Sequence, residues 1–217
     1  MQERHGWAVE PEWIVSVPGV VPAVNFIVQT FVKPGENVLI QRPVYYPFFP
    51  AIENNGGTLV SNSLTLQNGR YEMDFEDFEE KAADPATTLF ILCSPHNPVG
   101  RVWTKEELER IGEICLKHAV LVVADEIHSD LIFSGSTFTP MATLGRAVAK
   151  ILSYARHRAK RSIWQAFTRP ILSFPTRTRD SVLSRHYPDA VWRNGRTHSV
   201  WWPVKQLIGK ESRGSGK

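Results

Sequence analysis

Two runs decide the fold: "TTLFILCSPHNPVG" (residues 87–100) and "VLVVADEIHSD" (residues 120–130). Each opens on successive apolar residues, so both faces of the segment need burial. An interior strand of a parallel sheet has that requirement. Between them "TKEELERIGEICLKHAV" (104–120) has helical spacing, with Leu108, Ile111, Cys115 and Leu116 on one face. Thr104 and Glu107 stand at the positions of a capping box, which fixes where that helix starts. Strand, helix and strand in this order define an α/β layer fold with a mostly parallel sheet flanked by helices.

The same grammar extends towards the amino terminus. "EWIVSV" (12–17) reads as a short strand leading to Pro18-Gly19, and "PAVNFIVQTF" (22–31) as a helix with Pro22 in its first turn. "KPGENVLI" (33–40) is a turn and a buried strand, and "YPFFPAIENNGG" (46–57) a short helix stopped by its Asn and Gly residues. "TLVSNSLTL" (58–66) reads as one strand and "DFEDFEEKAA" (74–83) as an acidic amphipathic helix. After about Leu144 the alternation stops. Trp164, Trp192, Trp201 and Trp202 lie among arginines with no clear period.

The charge divides at the same place. The net charge of the 217 residues is +3, but residues 1–144 carry 9 basic and 19 acidic side chains, a balance of −10. Residues 145–217 carry 16 basic and 3 acidic side chains, a balance of +13. Such asymmetry ordinarily points to nucleic acid or a membrane surface. No apolar run approaches the roughly 20 residues that span a bilayer, and no signal-peptide pattern follows Met1. Cys93 and Cys115 are too few for a disulfide framework and read as buried thiols of a cytoplasmic protein.

Parallel α/β sheets bind ligands beyond the carboxyl ends of their strands. Three segments fall there. "PGVVPA" (18–23) opens onto a helix whose first amides suit a phosphate, although a glycine turn before a helix is usually structural. "SPHNPVGRVW" (94–103) is a constrained loop displaying Asn97, with Asn97-Pro98 a candidate cis bond; the plainer reading is a turn. In "ADEIHSD" (124–130), Asp125 ends a buried strand and so needs a cationic or hydrogen-bonding partner, with His128 three residues on.

Taken in order, "RHGW", "PGVVPAVNF", "PVYYPF", "SPHNPVGRVWTKEEL" and "VVADEIHSDL" resemble the large domain of fold-type I pyridoxal-phosphate enzymes. These belong to the class I/II aminotransferase superfamily, and the carbon–sulfur lyases of the cystathionine β-lyase type are the nearest branch. The resemblance covers residues 4 to about 144, so 1–144 reads as part of a cofactor-binding large domain. It implies pyridoxal 5'-phosphate as cofactor, an amino acid such as cystathionine as substrate, and a homodimer; no metal is implied. By the same resemblance Gly19, Val20 and Val21 would hold the phosphate, and Tyr45 would stack on the pyridine ring. Asn97, with His128 nearby, would meet the ring's phenolic oxygen, and Asp125 would pair with the ring nitrogen. An aminotransferase would use the same residues.

The resemblance also requires a Schiff-base lysine in an "SKT" segment, which this chain lacks. The genetic code suggests why. "RHRAKRSIWQAFT" (156–168) can be encoded so that reading from the third base gives "APSKTFNLAGLH", the lysine segment of the family. Residues 145–217 are therefore expected to be an out-of-frame tail, disordered or poorly folded, with the slip near Gly145. The chain as written would then lack activity. A nucleic-acid-binding role for the basic tail is the disfavoured alternative, since the tail carries no recognisable motif.

Overall fold

The computed structural model describes residues 2–9 and 17–145, together with the backbone of 14–16, 152–157 and 170–173. The core of the molecule is a seven-stranded sheet. Its strands are β1 (Ile14–Ser16), β2 (Asn37–Arg42), β3 (Thr58–Ser63), β6 (Thr87–Cys93), β7 (Leu121–Asp125), β8 (Leu152–His157) and β9 (Pro170–Ser173). Their order across the sheet is β1-β9-β8-β7-β6-β2-β3. Strands β3, β2, β6, β7 and β8 run parallel, while β9 is antiparallel to β8 and β1 to β9.

Alternation along the strands assigns each side chain to a face. Val38 and Ile40 of β2, Leu89, Ile91 and Cys93 of β6, and Val123 of β7 join one core. That core is completed by α2 (Val20–Phe31) and α3 (Phe48–Glu53). Leu39, Phe90, Leu92, Val122 and Ala124 join the other, against α4 (Phe75–Ala82) and α5 (Lys105–Lys117). Strands buried on both sides carry no polar alternation, which is why residues 89–93 and 120–124 are apolar throughout.

Helix ends follow their capping residues. Thr104 and Glu107 form the reciprocal capping box of α5, and Asp74 accepts from the amides of Glu76 and Asp77 at the start of α4. A short helix, α1 (Gln2–His5), not expected from periodicity, lies near the loop after β7. His5 Nε2 is 2.9 Å from Asp130 Oδ1 there.

One expectation is corrected. The segment 58–66 is not one strand: β3 ends at Ser63, and Leu64 N donates to Arg42 O at 2.7 Å. Residues from Thr65 on leave the main sheet as β4 (Thr65–Gln67), which pairs antiparallel with β5 (Arg70–Glu72). Asn68 and Gly69, at φ +50° and +77°, make the turn. An Asn-Gly pair is the strongest short-range hairpin signal, and the periodic reading passed over it.

Residues 152–157 pair in parallel with β7, and residues 170–173 return antiparallel beside them. Strand pairing is made by backbone groups, and an interior strand such as β7 leaves a ladder that many sequences can complete. Lys150, Lys160 and the tail's tryptophans lie outside the described residues. Among the described residues no helix is long and apolar enough to cross a membrane.

Candidate functional site

The strand order places a crevice where the chain changes direction. From β2 the chain moves outward to β3 through α3, which packs on one face. From β6 it moves the other way to β7 through α5, on the opposite face. Ligands of open α/β sheets bind at such a switch point, outside the carboxyl ends of the strands.

A cleft of about 390 Å³ lies there, and Gly19, Val20, Val21, Tyr45, Asn97, Asp125 and His128 all line it. The structure thus brings together every candidate residue named from the sequence. Pro22, Cys93 and Ile127 complete the lining and were not anticipated. Cys93 had a legible signal, since it is the last residue of β6 and stands in register beside Asp125.

Strand parity explains how Asp125 reaches the cleft. It lies two residues beyond Val123, so it belongs to the face covered by α2. The α2 N-terminus lines the same cleft. Gly19 is the N-cap residue, and the first intrahelical bond runs from Ala23 N to Gly19 O at 3.0 Å. The amides of Val20 and Val21 precede that bond and have no intrahelical acceptor, while Pro22 has no N–H. Two donors at the positive end of a helix therefore border the cleft.

Gly19 is needed for space rather than for backbone freedom, because its φ of −171° is extended. A Cβ added there would sit 3.0 Å from Pro22 Cδ, a rigid ring atom of the same first turn. Gly19→Ala is therefore expected to displace the first turn of α2. An anion held by these amides should bind roughly tenfold more weakly in the variant, on the scale of one lost charge-assisted hydrogen bond. Titration of both proteins with pyridoxal phosphate, followed by quenching of tryptophan emission, measures the difference.

Asp125 is 3% exposed. Its Oδ1 accepts from Ile127 N at 3.2 Å; the bond comes from this amide and not from His128. Among the described residues no cation pairs with the carboxylate. Burial raises the Asp125 carboxyl from 3.8 to about 7, and the single amide bond only partly opposes it. Burial and the neighbouring Asp125 charge likewise raise the Cys93 thiol, so it stays protonated.

The loop that carries Asn97 is held from behind. Asn97 N donates to Cys93 Sγ at 3.3 Å, and Trp103 Nε1 donates to Cys93 O at 2.9 Å. Asn97-Pro98 is cis, as are Ser94-Pro95 and Arg42-Pro43. The Arg101 guanidinium lies over the Trp103 ring at 4.5 Å and grips both oxygens of Glu107, at 2.6 and 2.8 Å. Tyr45 meets Phe48 edge-on at 5.9 Å and leans on the core of the α2 face.

The family model for aminotransferase class I and II matches residues 1–160, and the chain belongs to that family. Cystathionine beta-lyase PatB of Bacillus subtilis (strain 168) is 52% identical over 151 residues, covering 70% of this chain and 39% of the relative. Protein MalY of Escherichia coli (strain K12) is 34% identical over 143 residues, covering 66% of this chain and 37% of the relative. Cystalysin from Treponema denticola, whose crystal structure contains a pyridoxal 5'-phosphate cofactor, superposes with a TM-score of 0.78 at 36% identity. That match covers 83% of this chain and 48% of cystalysin. The chain thus spans less than half the length of these relatives.

Proposed function

We propose that the cleft binds pyridoxal 5'-phosphate and that this chain derives from a carbon–sulfur β-lyase acting on an amino acid such as cystathionine. The observation that carries the reading is Asp125. A carboxyl buried at the end of an apolar strand, facing a cleft and raised to about 7 by burial, is suited to a cationic ligand. The same cleft is bordered by the pair of free amides at the start of α2, suited to a phosphate. A protonated heterocycle bearing a phosphate satisfies both, and the similarity to PatB and to cystalysin favours the same ligand.

When bound, the cofactor supplies an electron-withdrawing pyridinium ring conjugated to the substrate's α-carbon. Asp125 would keep the proton on the ring nitrogen by accepting its hydrogen bond as a carboxylate. The amides of Val20 and Val21 would hold the phosphate. Tyr45 would pack on the ring, and Asn97, with His128 nearby, would meet its phenolic oxygen. Cleavage of a carbon–sulfur bond at the β-position also needs a base for the α-proton, which members of the family take from a lysine. No "SKT" segment is present to provide it. Cofactor is therefore expected to bind without covalent attachment, and turnover is expected to be very low.

An aminotransferase would share all these contacts, and the family description favours it as the second reading. The two separate on product. Full-length protein supplied with pyridoxal phosphate and L-cystathionine should release any product as pyruvate and thiol. Glutamate formed from added 2-oxoglutarate would instead mark transamination. Saturable cofactor binding with near one-to-one stoichiometry is the prior requirement, and its absence would end both readings. The family homodimer is expected to accompany binding.

A further inference from the structure

We propose that His96 is a positioning residue that ties the Tyr45 turn to the Asn97 loop and so sets the width of the cleft. The inference rests on the cofactor reading above and adds a residue outside the cleft lining. Tyr45 follows β2 and Asn97 follows β6, and these neighbouring strands diverge into separate loops beyond their ends. The His96 ring spans the gap. Its Nε2 lies 2.9 Å from Pro43 O, a carbonyl two residues before Tyr45.

Because Pro43 O only accepts, Nε2 must carry the proton. The ring is neutral. It is 2% exposed, and burial, with the Arg101 charge adding to it, lowers its pKa to about 4 against the raising effect of the Pro43, Cys93 and Gln41 carbonyls. Trp103 meets it edge-on at 5.4 Å and 83°, which fixes the ring plane. Its own backbone is bound in both directions: His96 N donates to Arg101 O and Gly100 N to His96 O, each at 2.8 Å. Asn97 is the next residue, so a shift of His96 is passed directly to it.

Packing alone does not account for a histidine here. Nδ1 is buried and has no hydrogen-bond partner, a cost that a phenylalanine ring of similar shape would avoid. What histidine adds is the Nε2 donor. Through it a carbonyl 53 residues away in the chain becomes part of the same rigid unit as the Asn97 loop.

The test uses the full chain, uniformly labelled with nitrogen-15, and the variants His96→Phe and His96→Gln. Ring nitrogen spectra of the parent should show His96 with its proton on Nε2 and no titration between pH 5 and 8. Cofactor titrations should show His96→Phe binding pyridoxal phosphate at least tenfold more weakly, with a reduced circular dichroism band of the bound chromophore. His96→Gln, which keeps a donor at similar reach, should stay within about threefold of the parent. A proton on Nδ1, or a midpoint near 6.5, overturns the tie even if His96→Phe does not fold. Equal affinity and an equal band in His96→Phe overturn the positioning role while leaving the cofactor reading intact. A parent chain that binds no cofactor, yet shows the expected ring state, overturns the cofactor reading and the positioning role built on it, leaving only a structural tie.

Discussion

Asp125→Asn is expected to weaken pyridoxal phosphate binding by at least about 100-fold, because breaking one buried charge pair costs roughly 3–5 kcal/mol. The same substitution should remove a pH dependence of stability in the cofactor-free protein. The Asp125 carboxyl is raised by burial from 3.8 to about 7, so between these values the folded chain holds a proton that the unfolded chain releases. Its contribution is therefore complete below about pH 4 and is lost as pH rises through 7. Three pH units of that slope amount to about 4 kcal/mol. The carboxyls of Asp77 and Glu79 are shifted down from 3.8 and 4.5, so their contributions are lost only as pH falls below that window. Burial lowers the His96 imidazole from 6.5 to about 4, so it gives a slope of the opposite sign over part of this range in both proteins. The readout is therefore the difference: urea midpoints of the parent should fall relative to those of the asparagine variant as pH rises from 4.5 to 7.5. With saturating cofactor the parent should lose the part of its pH dependence that Asp125 supplies, since a cation beside the carboxylate favours its ionised form. A variant with the parent's slope and affinity would remove Asp125 from the account.

Restoring the reading frame after Gly145, so that "APSKTFNLAGLH" is translated, should raise carbon–sulfur lyase turnover by several powers of ten. General acid–base catalysis alone contributes about 10²–10⁴-fold, and loss of covalent handling of the substrate adds to it. Borohydride reduction followed by denaturation and peptide mapping gives an independent measure. Cofactor should remain attached to the restored protein at the lysine of that segment, and the 217-residue chain should release it. A stoichiometric adduct at Lys150 or Lys160 would contradict the frame-slip reading.

The site was more legible in the sequence than its supports. Leu89 to Cys93 and Leu121 to Asp125 carry their placement in simple alternation, and Asp125 is conspicuous as an acid ending an apolar strand. Residues following neighbouring strand ends meet because the sheet gathers them. That is how Tyr45, Asn97 and Asp125, far apart in sequence, share one cleft. The bond from His96 to Pro43 has no local signature, because it depends on two loops being neighbours in space. The Asn68-Gly69 hairpin was readable from its turn residues, and periodicity hid it. Strands β8 and β9 were not readable in the same way, since backbone pairing beside β7 asks little of side-chain pattern.

The central claim is that Asp125 was shaped to hold a protonated ring nitrogen. Pyridoxal phosphate labelled with nitrogen-15 in its ring, bound to the full chain at pH 8, reports that proton directly through its chemical shift. A pyridinium shift in the parent that moves to the neutral-pyridine position in Asp125→Asn is the predicted result. A neutral ring nitrogen in the bound parent protein would contradict it.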